Sequence, residues 1–113
     1  MKIYLAGPMA GIPDHNFPAF NAKAAELRAL GHFVYNPAEI EPDEYLKIAT
    51  EEKRAEFHNS GYRNCLRKEL QWICDEAEAI YLLQGWEYSL GANSEFNTAK
   101  AVKLKFSYEP VTL

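Results

Sequence analysis

Apolar positions along this chain fall into short continuous runs and spaced stripes, and the two patterns alternate. Ile3 to Ala6 is an apolar run closed by Gly7-Pro8, the signature of a strand buried on both faces. After the loop Met9 to His15, Asn16 stands where a helix cap is expected and Pro18 falls in the first turn. Phe17, Phe20, Ala24 and Leu27 then recur at helical spacing as far as Gly31. Phe33, Val34 and Tyr35 form a second strand, which Asn36-Pro37 stops because proline cannot donate to a ladder. Strand, helix, strand in that order predicts a parallel pair.

Glu39 to Asn59 is polar, with Tyr45, Leu46, Ile48, Ala49 and Phe57 as its apolar minority, and is expected to hold a short surface helix before Ser60-Gly61. From Tyr62 the periodicity sharpens. Leu66, Leu70, Ile73 and Ala77 share one helical face, and Ala79 to Leu83 follows as a third strand. The loop Gln84 to Leu90 leads to Gly91. Ala92, Ala99 and Val102 share one face of a last helix, and Lys105 to Tyr108 makes a fourth strand. The order predicts a single α/β domain over residues 1–113, a small flavodoxin- or Rossmann-like three-layer sandwich on an open parallel sheet of four to five strands.

Composition narrows the partners. The 12 basic and 16 acidic residues give a net charge of -4, and the basic ones are scattered, which argues against duplex nucleic acid. The longest apolar runs are four or five residues, against the roughly 20 of a membrane helix. Lys2 precedes only a four-residue apolar run, too short for a secretory leader, so a cytoplasmic protein off the membrane is expected. Cys65 and Cys74 fall nine residues apart on one predicted helix, about 13 Å along its axis, which excludes a bond between them. His15, His32 and His58 show no metal-ligand spacing, and no cofactor is indicated.

Ligands of open parallel sheets bind outside the carboxyl ends of the strands. That rule selects three loops: Gly7-Pro8-Met9-Ala10-Gly11, Asn36-Pro37-Ala38-Glu39, and Gln84 to Gly91 with Gly85, Trp86 and Ser89. The first and third carry two glycines each and lead towards helix N-termini, a setting that suits an anion but also serves plain turns. Glu95 is more specific. It falls in the first turn of the last helix and within the stripe of Ala92, Ala99 and Val102, so its carboxylate is directed towards the strand ends and away from bulk water, as a nucleophile or base would be. A first-turn acid that only complements the helix dipole would lie on the outer face.

Tyr4-Leu5-Ala6-Gly7-Pro8, the following helix, Glu69, and Ser89-Leu90-Gly91-Ala92-Asn93-Ser94-Glu95 resemble the nucleoside 2-deoxyribosyltransferase superfamily. Gly85-Trp86-Glu87-Tyr88-Ser89-Leu90-Gly91-Ala92 is most similar to the nucleoside 5′-monophosphate N-glycosidases and a branch often encoded by phages. The resemblance spans nearly the whole chain except Glu41 to Ser60. It implies that Glu95 attacks the anomeric carbon, that Tyr4 orients that carboxylate, and that Ser89 binds a 5′-phosphate. Glu69 stands where the family usually has an aspartate that contacts or protonates the base, one methylene shorter. Cleavage or transfer of the N-glycosidic bond of a 2′-deoxynucleoside 5′-monophosphate is the implied reaction, and two carboxylates suit it independently.

Gly7, Pro8, Met9, Gly11, Asn16, Gly85, Trp86, Ser89 and Gly91 are the further candidates for contact with substrate, His15 for the mouth of the site and Arg63 for a phosphate. Each has a plainer role open to it: capping for Asn16, packing into the rim for Trp86, solvation for Arg63, and a solvated position beside the Leu66/Leu70 face for Glu69. Two other functions remain. One is a catalytically silent nucleotide-binding or sensing protein. The other is a ribonucleotide phosphoribohydrolase, whose paired glycines and threonine before the glutamate are missing here. Finally, Trp72 falls roughly 160° from Leu70 on a helical wheel. That predicts a tryptophan pointing away from the sheet and a homo-oligomer, most simply a twofold dimer, formed through that outer face.

Overall fold

The computed structural model describes residues 1–39 and 62–110, and the greater part of the Glu39 to Asn59 segment lies outside them. Among the described residues, four strands and three helices alternate: β1 (Lys2–Ala6), α1 (Phe17–Ala29), β2 (Phe33–Tyr35), α2 (Tyr62–Asp75), β3 (Ala79–Leu82), α3 (Leu90–Ala101) and β4 (Lys105–Tyr108). Short 3₁₀ turns at Pro13–Asn16, Pro37–Glu39 and Trp86–Tyr88 sit in the loops that leave β1, β2 and β3. All strands are parallel, in the order β2-β1-β3-β4. This is the small Rossmann-like α/β sandwich expected from the alternating runs and stripes.

The central strand pair explains why β1 reads as a continuous apolar run. Tyr4 pairs with Tyr35 on one side and with Ile80 on the other, and its neighbours alternate between two cores. Ile3 and Leu5 pack with Phe20, Ala24 and Leu27 of α1 and with Val34. Tyr4 and Ala6 pack with Ile73 of α2, with Ile80 and Leu82, and with Ala99 of α3. Each fully buried residue of this size contributes about 1.5–3 kcal/mol of transfer free energy, so both faces of β1 stabilise the sandwich.

The order of strands also sets where a ligand can go. From β1 the chain moves to β2 on one flank, and from β2 it crosses to β3 on the other, so β1 and β3 are neighbours whose following loops diverge. A crevice opens at such a switch point. Its floor is closely packed: the Leu83 N–H donates to the Ala6 carbonyl at 2.8 Å. A Cβ on Gly7 would lie 2.8 Å from the Leu83 Cβ, and one on Gly85, which has φ 84°, would lie 3.3 Å from the Pro8 ring. Gly7 and Gly85 are therefore where the two loops pass against each other.

Three expectations need correction. Val102 does not share the buried face of α3: the helix ends at Ala101, Lys103 turns the chain at φ 63°, and Val102 is 42% exposed. Leu104 fills the place against the core instead. Second, the buried arc of α2 is wider than the stripe of leucines suggested. Ile73 and Glu69 are buried at its centre, while Leu66 and Leu70 are only partly covered.

The third concerns Trp72, which turns inward. Its ring lies 5.0 Å from Tyr35, 6.1 Å from Phe33 and 6.3 Å from Tyr4, centroid to centroid. Because α2 returns from edge strand β2 across β1, one flank of the helix covers β2 while the helix also packs against α3. The 160° between Trp72 and Leu70 is spanned by packing. The outer-face tryptophan that led to a predicted dimer is a member of an intramolecular aromatic cluster.

Candidate active site

Because α3 already starts at Leu90, before Gly91, Glu95 sits in its second turn and not the expected first, between Ala92 and Ala99, which pack against the sheet, and it is buried with them at 5% exposure. Directly beneath it, β1 presents Tyr4, whose side chain is wholly buried. The Tyr4 hydroxyl donates to Glu95 Oε2 at 2.6 Å, a short bond of the charge-assisted kind. Burial drives the Tyr4 phenol well above the usual tyrosine range, and the charges of Glu95 and then Glu69 push it further. The phenol therefore stays protonated and acts as a donor across the physiological range.

Glu69 completes the group. It is 7% exposed, on the face of α2 turned to the sheet, one turn before Ile73. The solvated position open to it from sequence is excluded. A carboxylate is thus held in the cavity wall from each of two helices, α2 and α3, with a tyrosine from the central strand under one of them.

Above the group lies a cavity of about 880 Å³, within the range that takes a nucleotide-sized ligand. Glu95, Glu69, Gly7, Pro8, Met9, Gly11, Gly85, Ser89 and Gly91 all line it. So does His15. Much of the remaining wall is apolar, with Leu5, Ile12, Phe17, Phe20 and Pro37 among it.

Ser89 is the N-cap of α3: its Oγ accepts from the Ala92 N–H at 3.2 Å, which leaves the hydroxyl hydrogen to be donated. Its loop is clamped from within the helix. The Asn93 side-chain amide donates to the carbonyls of Glu87 at 2.9 Å and Ser89 at 2.8 Å. Outside the cavity wall, the Asn36 side chain accepts from the Ala38 N–H at 3.1 Å and donates to Asn21 Oδ1 at 3.0 Å, which ties the exit of β2 to α1.

Three candidates fall elsewhere. Asn16 neither caps α1 nor lines the cavity: its backbone is left-handed and it makes no side-chain capping bond. Its amide instead donates to the Pro8 carbonyl at 2.9 Å and so holds the first loop in place. Trp86 is turned away, stacked on Phe96 at 4.6 Å and leaning on Tyr108, because the 3₁₀ turn rotates it onto the face of the sheet that α3 covers. Arg63 is exposed and off the cavity wall.

Sequence reasoning overlooked Cys65, which is in the wall, and Asn93, which shapes the loop. The signal for Cys65 was present in its spacing, four residues before Glu69 on one helical face. Among the described residues, no group of three or more His, Cys, Asp or Glu side chains forms a metal cage, and no helix is long and apolar enough to cross a membrane.

The family model described as "Domain of unknown function (DUF4406)" matches residues 1–108. No curated protein matches the chain.

Proposed function

We propose, for a chain that belongs to the DUF4406 family, that the cavity cleaves the N-glycosidic bond of a 2′-deoxynucleoside 5′-monophosphate and that the chain belongs to the deoxyribosyltransferase-like superfamily. The observation that carries this reading is the buried Tyr4–Glu95 hydrogen bond of 2.6 Å beneath a cavity that Glu69 also lines. A carboxylate held out of water and aimed by one fixed donor is a nucleophile in a defined orientation. A second carboxyl group in the same wall supplies the proton that a departing base needs.

In the first step a Glu95 oxygen bonds to the anomeric carbon as the carbon–nitrogen bond breaks. The electron pair leaves on the base, which takes a proton from the Glu69 carboxylic acid. In the second step water gives a proton to the Glu69 carboxylate and its oxygen displaces Glu95, yielding free base and deoxyribose 5-phosphate. With a second base in place of water the same intermediate gives transfer. Tyr4 keeps its proton throughout and holds the Glu95 oxygen that does not attack. The Ser89 hydroxyl and the first-turn amides of α3 meet the 5′-phosphate, where the helix dipole favours negative charge.

The test is incubation with a panel of deoxynucleoside monophosphates, chromatography for free base, and the same assay on Glu95→Gln. Base release by the wild type, with at least a hundredfold loss in the variant, is expected. A loss of less than tenfold, about 1.4 kcal/mol, refutes the nucleophile. Saturable nucleotide binding without base release, unaltered in the variant, establishes the silent binding protein instead.

A further inference from the structure

The cavity wall has an unusual charge balance for a site proposed to hold a phosphate. Among the described residues that line it, the acidic side chains are Glu69, which holds a proton in the proposed reaction, and Glu95, and neither lysine nor arginine is present. A phosphate monoester brings close to two further negative charges. The donors of Ser89 and the α3 amides are neutral, so a basic side chain is called for, and the described wall contains one, the imidazole of His15.

The backbone singles out the same residue. Asp14, His15 and Asn16 follow one another at φ 54°, 51° and 60°, three left-handed residues in succession without a glycine. Such a run is costly for L-residues and persists only where surrounding contacts hold it. Here the Asn16 amide bonds the Pro8 carbonyl, the His15 N–H bonds the Ile12 carbonyl at 3.0 Å, and the imidazole lies 5.7 Å from the Phe17 ring. All three contacts fix the loop that carries the imidazole into the cavity wall.

We propose that His15 is the residue that selects a phosphorylated substrate, its ring N–H donating to a phosphate oxygen across the cavity from Ser89. The inference rests on the nucleotide reading of this cavity and adds the basic side chain that reading lacks. An imidazole offers an N–H in either protonation state. Asp14 and Asn16 are of the residue types that best tolerate the left-handed conformation, so the sequence around His15 lowers the cost of placing it there.

Calorimetric titration of the whole protein tests this, using the four common deoxynucleoside 5′-monophosphates and the matching free nucleosides on wild type, His15→Asn and His15→Lys. Asparagine removes the basic ring and keeps a left-handed backbone acceptable; His15→Gln replaces it if the melting transition is lost. Monophosphate affinity should fall tenfold or more in His15→Asn, nucleoside affinity should change less than threefold, and His15→Lys should return to within threefold of wild type. Monophosphate affinity unchanged within threefold in His15→Asn overturns the proposal. Equal losses on both ligands also overturn it, because His15 would then meet the base or sugar. Chromatography of the same samples reads the reaction separately: a wild type that binds monophosphate through His15 and releases no base refutes the glycosidase and leaves the phosphate contact standing. A wild type that binds neither ligand refutes both.

Discussion

Replacing Tyr4 by Phe removes one oxygen atom from the centre of the protein and isolates the donor that orients Glu95. The Tyr35 ring stacks on the Tyr4 ring at 5.3 Å and the Trp72 ring packs tilted against it at 6.3 Å, and those contacts survive the change. What is lost is a 2.6 Å bond between a hydroxyl and a carboxylate, both removed from water. Hydrogen bonds to charged groups contribute about 1.5–3 kcal/mol, so the variant should be about 2 kcal/mol less stable at pH 7. For a domain of this length that is a fall in melting temperature of about 8 °C. On the proposed reaction, turnover should fall between about tenfold and a hundredfold with KM little changed, because the bond orients the attacking carboxylate through its other oxygen and does not touch the ground-state ligand.

The pH dependence supplies a sharper signature. The folded protein holds the Tyr4 phenol well above its ordinary value, chiefly through burial and then through Glu95 and Glu69. Its stabilising contribution is therefore complete below the unfolded value of about 10 and is lost as pH rises from there towards the folded value. Urea unfolding of both proteins from pH 7 to 11 should show a constant gap up to about pH 9.5 that narrows above it. A gap under 0.5 kcal/mol at pH 7, or one that widens in alkali, would show that the hydroxyl does not depend on this bond.

Ser89→Ala should lower stability by about 1 kcal/mol through loss of the α3 cap, measurable by urea unfolding, and weaken deoxynucleoside monophosphate binding by a further 1–2 kcal/mol or so by calorimetry, with Ser89→Thr restoring both. Gly7→Ala places a methyl 2.8 Å from the Leu83 Cβ and should cost about 1–3 kcal/mol in the same unfolding assay; an unchanged midpoint would mean that the β1 and β3 exits can separate freely. Trp72→Ala should destabilise the protein by about 2–3 kcal/mol irrespective of protein concentration, since its partners are Tyr4, Phe33 and Tyr35 of the same chain. A loss that appears only at high concentration would point back to an interface.

Local pattern was enough for the elements and for Glu95. The strand buried on both faces, β1, announces itself as an unbroken apolar run, and the more exposed spans Phe33–Tyr35 and Lys105–Tyr108 also match the sequence reading residue for residue. Glu95 was legible because one acidic residue interrupts the stripe of Ala92 and Ala99, and a helix only 12 residues long leaves little doubt which face meets the sheet. The same rule of parallel sheets that selects the loops after strands located Gly7, Gly85 and Ser89 on the cavity.

Periodicity, however, gives angles around one helix and says nothing of how many neighbours that helix has. Trp72 was misjudged for that reason: the strand order β2-β1-β3-β4 makes α2 cover an edge strand on one flank and meet α3 as well, so an arc much wider than one stripe is packed. Asn16 and Trp86 were read from the roles their residue types commonly fill, whereas their orientations follow from a left-handed turn and a 3₁₀ turn that no stripe encodes. The proximity of Tyr4, Glu69 and Glu95 is likewise a product of topology. These residues lie 65 and 26 positions apart along the chain, and only the crossing of α2 over β1, followed by α3 beside it, brings their side chains to one buried point.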